Sequence, residues 1–175
     1  LKGMTAQFLL RRTYRVKKGT VVVIHAAAGG VGLIAAQWAR DLGATVIGVV
    51  GSEAKAALAR QHGCHEVVVT GHEDFAARVK AITRGKGADV VYDSVGKDTF
   101  FGSLDCLRPL GMMVTYGNAS GPVPPYLYGA PICPCAACST AWPGSGLAGS
   151  PGSPARNGVH AASAVRTSTS SSECA

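Results

Sequence analysis

The stretch Thr20-Val21-Val22-Val23-Ile24-His25-Ala26-Ala27-Ala28-Gly29-Gly30-Val31-Gly32 decides the fold. An apolar β-branched run breaks into a small-residue turn and then opens a helical pattern. Residues 27 to 32 fit G-x-G-x-x-G with Ala27 in the first glycine position and Gly29 and Gly32 in the second and third. The small residues serve distinct physical ends, since Gly29 lets the backbone approach a phosphate and Gly32 lets the helix pack closely on the strand. The helix start then turns unpaired N–H groups and the positive end of its dipole toward an anion. A bare match to this motif is weak, because a glycine turn with no ligand looks the same. Its setting between a strand and a helix is what favours a pyrophosphate site.

The pattern continues outward from that loop. Val31, Ile34, Ala35, Trp38 and Leu42 recur at helical spacing, Arg40 sits in the last turn, and Gly43 stands where helices stop. Ala44 to Val50 reads as a second strand, which completes a βαβ unit. An alanine-rich helix over 52–62 follows, closed by Gly63, then a strand over 66–70. A helix over 72–84 carries Phe75, Val79 and Ile82 on one face, with Glu73 and Asp74 in its first turn and Lys80 and Arg84 near its last. Ala88 to Asp93 is a fourth strand. A helix through Phe100, Leu104 and Leu107, stopped by Pro109, leads to a fifth strand over 111–116. This alternation predicts an α/β fold: a Rossmann-type doubly wound parallel sheet, with ligands at its carboxyl edge.

Four blocks in this order, Lys2-Gly3-Met4-Thr5-Ala6, the loop 26–32, Asp93-Ser94-Val95-Gly96 and Tyr116-Gly117-Asn118-Ala119-Ser120-Gly121, resemble the zinc-independent quinone oxidoreductases of the medium-chain dehydrogenase/reductase superfamily. The resemblance covers residues 1 to about 125 and implies the nucleotide-binding half of an NADPH-dependent enzyme. Residues 1–19 are then the junction from a preceding catalytic domain, and 20–125 the NADP-binding Rossmann domain. On the same resemblance Thr5 lies near the nicotinamide, Gly29, Gly30 and Val31 hold the pyrophosphate, and Ser94, Tyr116, Gly117 and Asn118 run along the cofactor. Thr5 also reads as an N-cap for a helix over Ala6 to Arg12, and Tyr116 as a strand-end packing residue.

The choice of nicotinamide cofactor rests on the residues after the second strand. NAD sites place an acid about twenty residues beyond the glycines, on the ribose 2′-hydroxyl. Here the sequence is Gly51-Ser52-Glu53-Ala54-Lys55. A hydroxyl and a lysine suit a 2′-phosphate, and the resemblance puts Ser52 and Lys55, with Gly51, in that role. Glu53 is read as a solvated first-turn residue. Thr70 stands where the family commonly has a tyrosine or histidine against the adenosine phosphate.

No catalytic acid is built in. In the family hydride passes to a quinone or enone, so the cofactor carries the chemistry and the protein orients it. His25 and Asp93 read as structural groups, Asp93 positioning the backbone at the Ser94 turn. The implied partners of the full enzyme are a small quinone or enone substrate and a second copy in a homodimer. Nucleic acid is disfavoured although the net charge is +7. The dense basic cluster Arg11, Arg12, Arg15, Lys17 and Lys18 has no aromatic-rich RNA motif beside it. Nothing reads as a membrane span, and isolated thiols at Cys64 and Cys106 fit a reducing cytoplasm.

The character changes at about residue 126. Residues 126–175 hold ten Ala, nine Ser, six Gly, five Pro and three Thr, with a single acid and no Lys. Such composition buries too little apolar surface to offset chain entropy, so a disordered tail is predicted, and the sheet is expected to be incomplete at its C-terminal edge. An out-of-frame reading of a GC-rich gene would produce such a stretch. Cys135 and Cys138 have zinc-ligand spacing, with Cys133 or His160 as further ligands, but no scaffold orients them, so no metal site is expected.

Overall fold

The structure, a computed structural model, describes residues 1–71 and 74–123, together with the backbone of a strand at 163–166. Five strands form a parallel sheet: β1 (Val21–His25), β2 (Thr45–Val50), β3 (Glu66–Val69), β4 (Ala88–Asp93) and β5 (Leu107–Thr115). A sixth strand, β6 (Ser163–Arg166), runs antiparallel along Met112 to Thr115. The order is β3-β2-β1-β4-β5-β6. The chain therefore winds outward from β1 in one direction, returns, and winds outward in the other. The crevice this leaves between β1 and β4 is where such sheets take ligands.

Alternation along the strands builds two cores, one on each face. Val22, Ile24, Val46, Val90, Tyr92 and Val114 point to the face covered by the N-terminal helical segment and the first crossover helices, where Leu9, Leu10, Ala35, Ala36 and Ala39 meet them. Val23, Ile47, Val49, Val91 and Met113 point to the other, packing with Val79 and Phe100. Burial on both faces is why these strands read as continuous β-branched runs rather than as alternating ones.

The helices are α1 (Lys2–Gln7), α2 (Gly30–Asp41), α3 (Glu53–Gln61), α4 (Phe75–Ile82) and α5 (Phe100–Asp105). Three boundaries differ from expectation. The first helix starts at Lys2, so Thr5 is interior to it and not its N-cap; its Oγ1 donates back to the Leu1 carbonyl at 3.2 Å. α1 then widens into a π-helical segment, Phe8–Thr13, which turns both Leu9 and Leu10 inward. The Leu9 carbonyl accepts from Tyr14 N at 3.2 Å and from the buried Tyr92 hydroxyl at 2.9 Å, tying this segment to β4.

α4 begins only at Phe75. Asp74 is its N-cap and accepts from Ala76 N at 2.9 Å; His72 and Glu73 lie outside the described residues. Leu107 belongs to β5, opposite Ala88, and not to the preceding helix. Pro109 has no N–H to give the ladder, and the pairing slips between Ala88 and Val90, with Leu110 at φ +62° beside it.

The edge of β5, expected to be open, carries β6. Its backbone N–H and C=O groups were the unpaired row that a strand can join. The rest of 126–175, with Cys133, Cys135, Cys138 and His160, lies outside the described residues, as does the expectation of disorder there.

Candidate functional site

The loop from β1 to α2 is set by close backbone packing. Gly29 N donates to the Ala26 carbonyl at 2.8 Å, Ala27 N to the Val49 carbonyl at 3.2 Å, and Ala26 itself takes φ +50°. A methyl on Gly32 would stand 2.5 Å from Ala26 O and 2.8 Å from Ala27 Cα, and one on Gly29 3.0 Å from Ala26 O. Only glycine lets the helix start this close to the strand. Gly30 faces elsewhere: a methyl there would meet the Lys2 side chain at 2.7 Å. α2 begins with Gly29 as its N-cap, no side-chain cap and no acid in its first turn. The first-turn amides of Gly30, Val31 and Gly32 are thus left for an anion.

Beside this loop lies a groove of about 650 Å³. Ala26, Ala28 and Gly29 form one wall, and Val49, Val50, Gly51, Lys55 and Thr70 the end over β2. Of the residues expected to hold a dinucleotide, Gly29, Gly51 and Lys55 meet here. Lys55 is exposed and makes no ion pair among the described residues. Thr70 is tied to the end of β2, its N donating to the Val50 carbonyl at 2.9 Å and its Oγ1 to the same oxygen at 3.4 Å. Ser52 is the N-cap of α3, its side chain making no capping bond, and Glu53 is an exposed first-turn residue.

A second cluster sits at the ends of β4 and β5. Tyr116 N donates to the Asp93 carbonyl at 2.9 Å, Ala119 N to Ser94 O at 3.2 Å and Ser120 N to Val95 O at 2.8 Å. These bonds staple the turn 93–96 to the turn 116–121. A methyl on Gly117 would be 2.9 Å from Ser94 O. Burial pushes the Tyr116 phenol up, opposed by its hydrogen bond with Ser94. Ser94, Tyr116, Gly117 and Asn118 therefore form one platform. Thr5 lies on α1, which packs against α2, and it does not line the groove.

Six further lining residues were not singled out in the sequence as cofactor contacts: His25, Asp74, Phe75, Val95, Asp98 and Thr99. His25 ends β1, and the others lie in the turns and helix starts after β3 and β4, so the carboxyl edge of a parallel sheet was the signal available for them. His25 and Asp93 are both buried and share a hydrogen-bond network through Ser103. Asp93 Oδ1 accepts from Val95 N at 2.7 Å and Gly96 N at 3.1 Å; Oδ2 accepts from Thr99 Oγ1 at 2.7 Å and Ser103 Oγ at 3.1 Å. His25 Nε2 lies 2.8 Å from Ser103 Oγ, and its ring meets Phe75 edge to face. The order His–Ser–Asp, with serine in the middle and its proton given to the carboxylate, is not that of a nucleophilic triad, where histidine stands between.

Burial raises the thiols of Cys64 and Cys106, to about 11 and about 12, which keeps them protonated. The basic cluster 11–18 is exposed throughout its charged residues. Among the described residues no three His, Cys, Asp or Glu side chains gather as metal ligands, and no helix is long and apolar enough to cross a membrane.

Comparison with known proteins bears on this geometry. Residues 30–149 match the family model described as zinc-binding dehydrogenase. The chain is 61% identical over 125 residues to a 2-haloacrylate reductase of a Burkholderia species and 58% identical over 123 residues to a quinone oxidoreductase of Pseudomonas aeruginosa. These matches take in 71% and 70% of this chain and 38% of each relative. The crystal structure of Escherichia coli quinone oxidoreductase complexed with NADPH superposes with a TM-score of 0.72 at 52% identity, over 74% of this chain and 40% of that one. The chain thus spans about two fifths of the length of these relatives, over the portion that carries the loop, the groove and the platform. With its doubly wound sheet and glycine loop at the carboxyl edge, the chain belongs to the zinc-binding dehydrogenase family.

Proposed function

We propose that this chain is the cofactor-binding part of an NADPH-dependent, zinc-independent oxidoreductase that reduces a quinone or a related electron-poor carbonyl compound. The observation that carries the reading is the glycine loop, where added methyls at Gly29 and Gly32 would strike backbone at 3.0 Å and 2.5 Å, leading into an uncapped helix start. That cradle fits a pyrophosphate. Gly29, Gly30 and Val31 offer backbone to it, and Gly51, Ser52 and Lys55 supply a turn, a hydroxyl and a cation for a ribose 2′-phosphate. Ser94, Tyr116, Gly117 and Asn118, on the stapled turns after β4 and β5, and Thr5 on α1 lie outside the groove's own lining and are proposed to contact the cofactor beyond it.

When bound, the reduced nicotinamide supplies a hydride. A quinone that takes the hydride and one solvent proton becomes a hydroquinone, and NADP⁺ remains. The protein's share in this reading is to hold and orient the cofactor. A second reading, reduction of an electron-poor carbon–carbon double bond, is favoured by the similarity to 2-haloacrylate reductase. A non-catalytic nucleotide-binding fragment is the third. Two isolated buried thiols fit a reducing, cytoplasmic setting, and the full enzyme is proposed to pair as a homodimer with no nucleic-acid partner.

Calorimetric titration of the full chain with NADPH and then NADH tests the binding claim. Tighter NADPH binding supports it; no binding by a cooperatively folding chain overturns it. Optical assay of NADPH oxidation, with a simple quinone and separately with a 2-haloacrylate, then separates the three readings.

A further inference from the structure

The ring of His25 joins a buried network to the floor of the groove. Asp93 accepts four hydrogen bonds, two on each oxygen, which fills a carboxylate's usual acceptor sites. One of them uses the only proton of the Ser103 hydroxyl. Ser103 Oγ must then accept from His25 Nε2, 2.8 Å away, because the reverse arrangement would turn lone pairs of Ser103 and Asp93 on each other at 3.1 Å. The imidazole proton is therefore on Nε2. Burial lowers the imidazole's proton affinity, against the pull of Asp93, so the ring is neutral.

Nδ1 is left as an acceptor without a partner among the described residues. Yet no buried side-chain nitrogen or oxygen among them lacks one. His25, only 1% exposed, lines the groove between the glycine loop and Phe75, and Nδ1 is the ring nitrogen that its network leaves free to face it. The groove end over β2 is the one with Lys55 and Thr70.

We infer that His25 is a specificity-determining residue of the groove, its Nδ1 accepting a hydrogen bond from a donor on the adenosine moiety of the bound dinucleotide. This rests on the cofactor reading above. The chemistry it selects is an N–H or O–H donor, either the purine amine or a ribose hydroxyl. Ser103 and Asp93 act through the ring as positioning residues.

The test is nitrogen-15 NMR of histidine-labelled full chain, alone and with NADPH. The free protein should show His25 as the Nε2–H tautomer, and its Nδ1 resonance should move as the site fills. The hypoxanthine analogue of NADPH separates the donors: loss of the Nδ1 response assigns the purine amine, and its persistence assigns a ribose hydroxyl. His25→Phe, which keeps a ring beside Phe75, should weaken NADPH about three- to tenfold, and Ser103→Ala should mix the tautomers. An Nδ1–H tautomer in the wild type, or an Nδ1 resonance unmoved at saturation, overturns the inference while leaving the cofactor reading intact. Failure of the wild type to bind NADPH overturns both.

Discussion

The sharpest test of the glycine loop is a pair of substitutions close together in the chain, Gly32→Ala and Gly30→Ala. Both residues lie in α2, where alanine gains up to about 1 kcal/mol over glycine in helix propensity. The surroundings differ. At position 32 the new methyl would stand 2.5 Å from Ala26 O, with Ala27 Cα and O both at 2.8 Å, and all three are backbone atoms that cannot swing away. Restoring ordinary contact requires the start of α2 to retreat by roughly 1 Å, an overpacking cost of about 2–3 kcal/mol. The net loss is about 1–2 kcal/mol, or a fall of about 4–8 °C in Tm at this size. The same retreat withdraws the first-turn amides, so NADPH affinity should fall as well. At position 30 the methyl meets only the flexible end of Lys2, and the variant should be as stable as wild type or more so. Thermal and urea unfolding of the full chain measures both. A Gly32→Ala protein with wild-type stability, or equal losses at the two positions, would refute the close-packing argument.

Other expectations follow from the same geometry. Lys55→Glu should weaken NADPH by about tenfold and NADH little, by paired titration; equal losses would remove the 2′-phosphate role. Tyr92→Phe deletes the buried bond to the Leu9 carbonyl, which keeps Tyr14 N as a partner, so a loss of about 1 kcal/mol is expected in urea melts. Stability should also depend on His25 through pH. Its folded pKa lies below the ordinary 6.5, so below pH 6.5 the unfolded chain binds a proton that the folded chain refuses, and stability falls with acidification toward the folded pKa. A His25→Gln variant should show a flatter profile below pH 6.5, and an unchanged slope would count against neutral burial.

Much of the fold was legible because it follows from local pattern. The five parallel strands and α2 read directly from β-branched runs, helical spacing and Gly43. The misread boundaries share a cause in tertiary context. Leu107 has helical spacing from Phe100 but is held in β5 by its pairing with Ala88. The N-cap role given to Thr5 failed because the helix begins at Lys2, packed on α2, where a threonine hydroxyl bonds back to residue 1. At the site, Gly29, Gly51 and Lys55 were found through a motif and a family pattern, both of them linear. His25, Asp74, Phe75, Val95, Asp98 and Thr99 were missed as lining residues because they come from separate strand ends and form one wall only after the sheet brings β1, β3 and β4 into register.

The amino-acid sequence by itself determined the strand and helix order, the glycine loop and the uncapped, acid-free start of α2, because these depend on neighbours within a few residues. Tertiary structure alone decided that the Ser94 and Tyr116 turns are stapled together and that β6 pairs along β5. It also decided that the proton of His25 sits on Nε2. Those features depend on hydrogen bonds between residues far apart in the chain, 78 positions for His25 and Ser103, and a hydrogen bond's direction is settled by which donors and acceptors the folded chain brings within about 3 Å of one another.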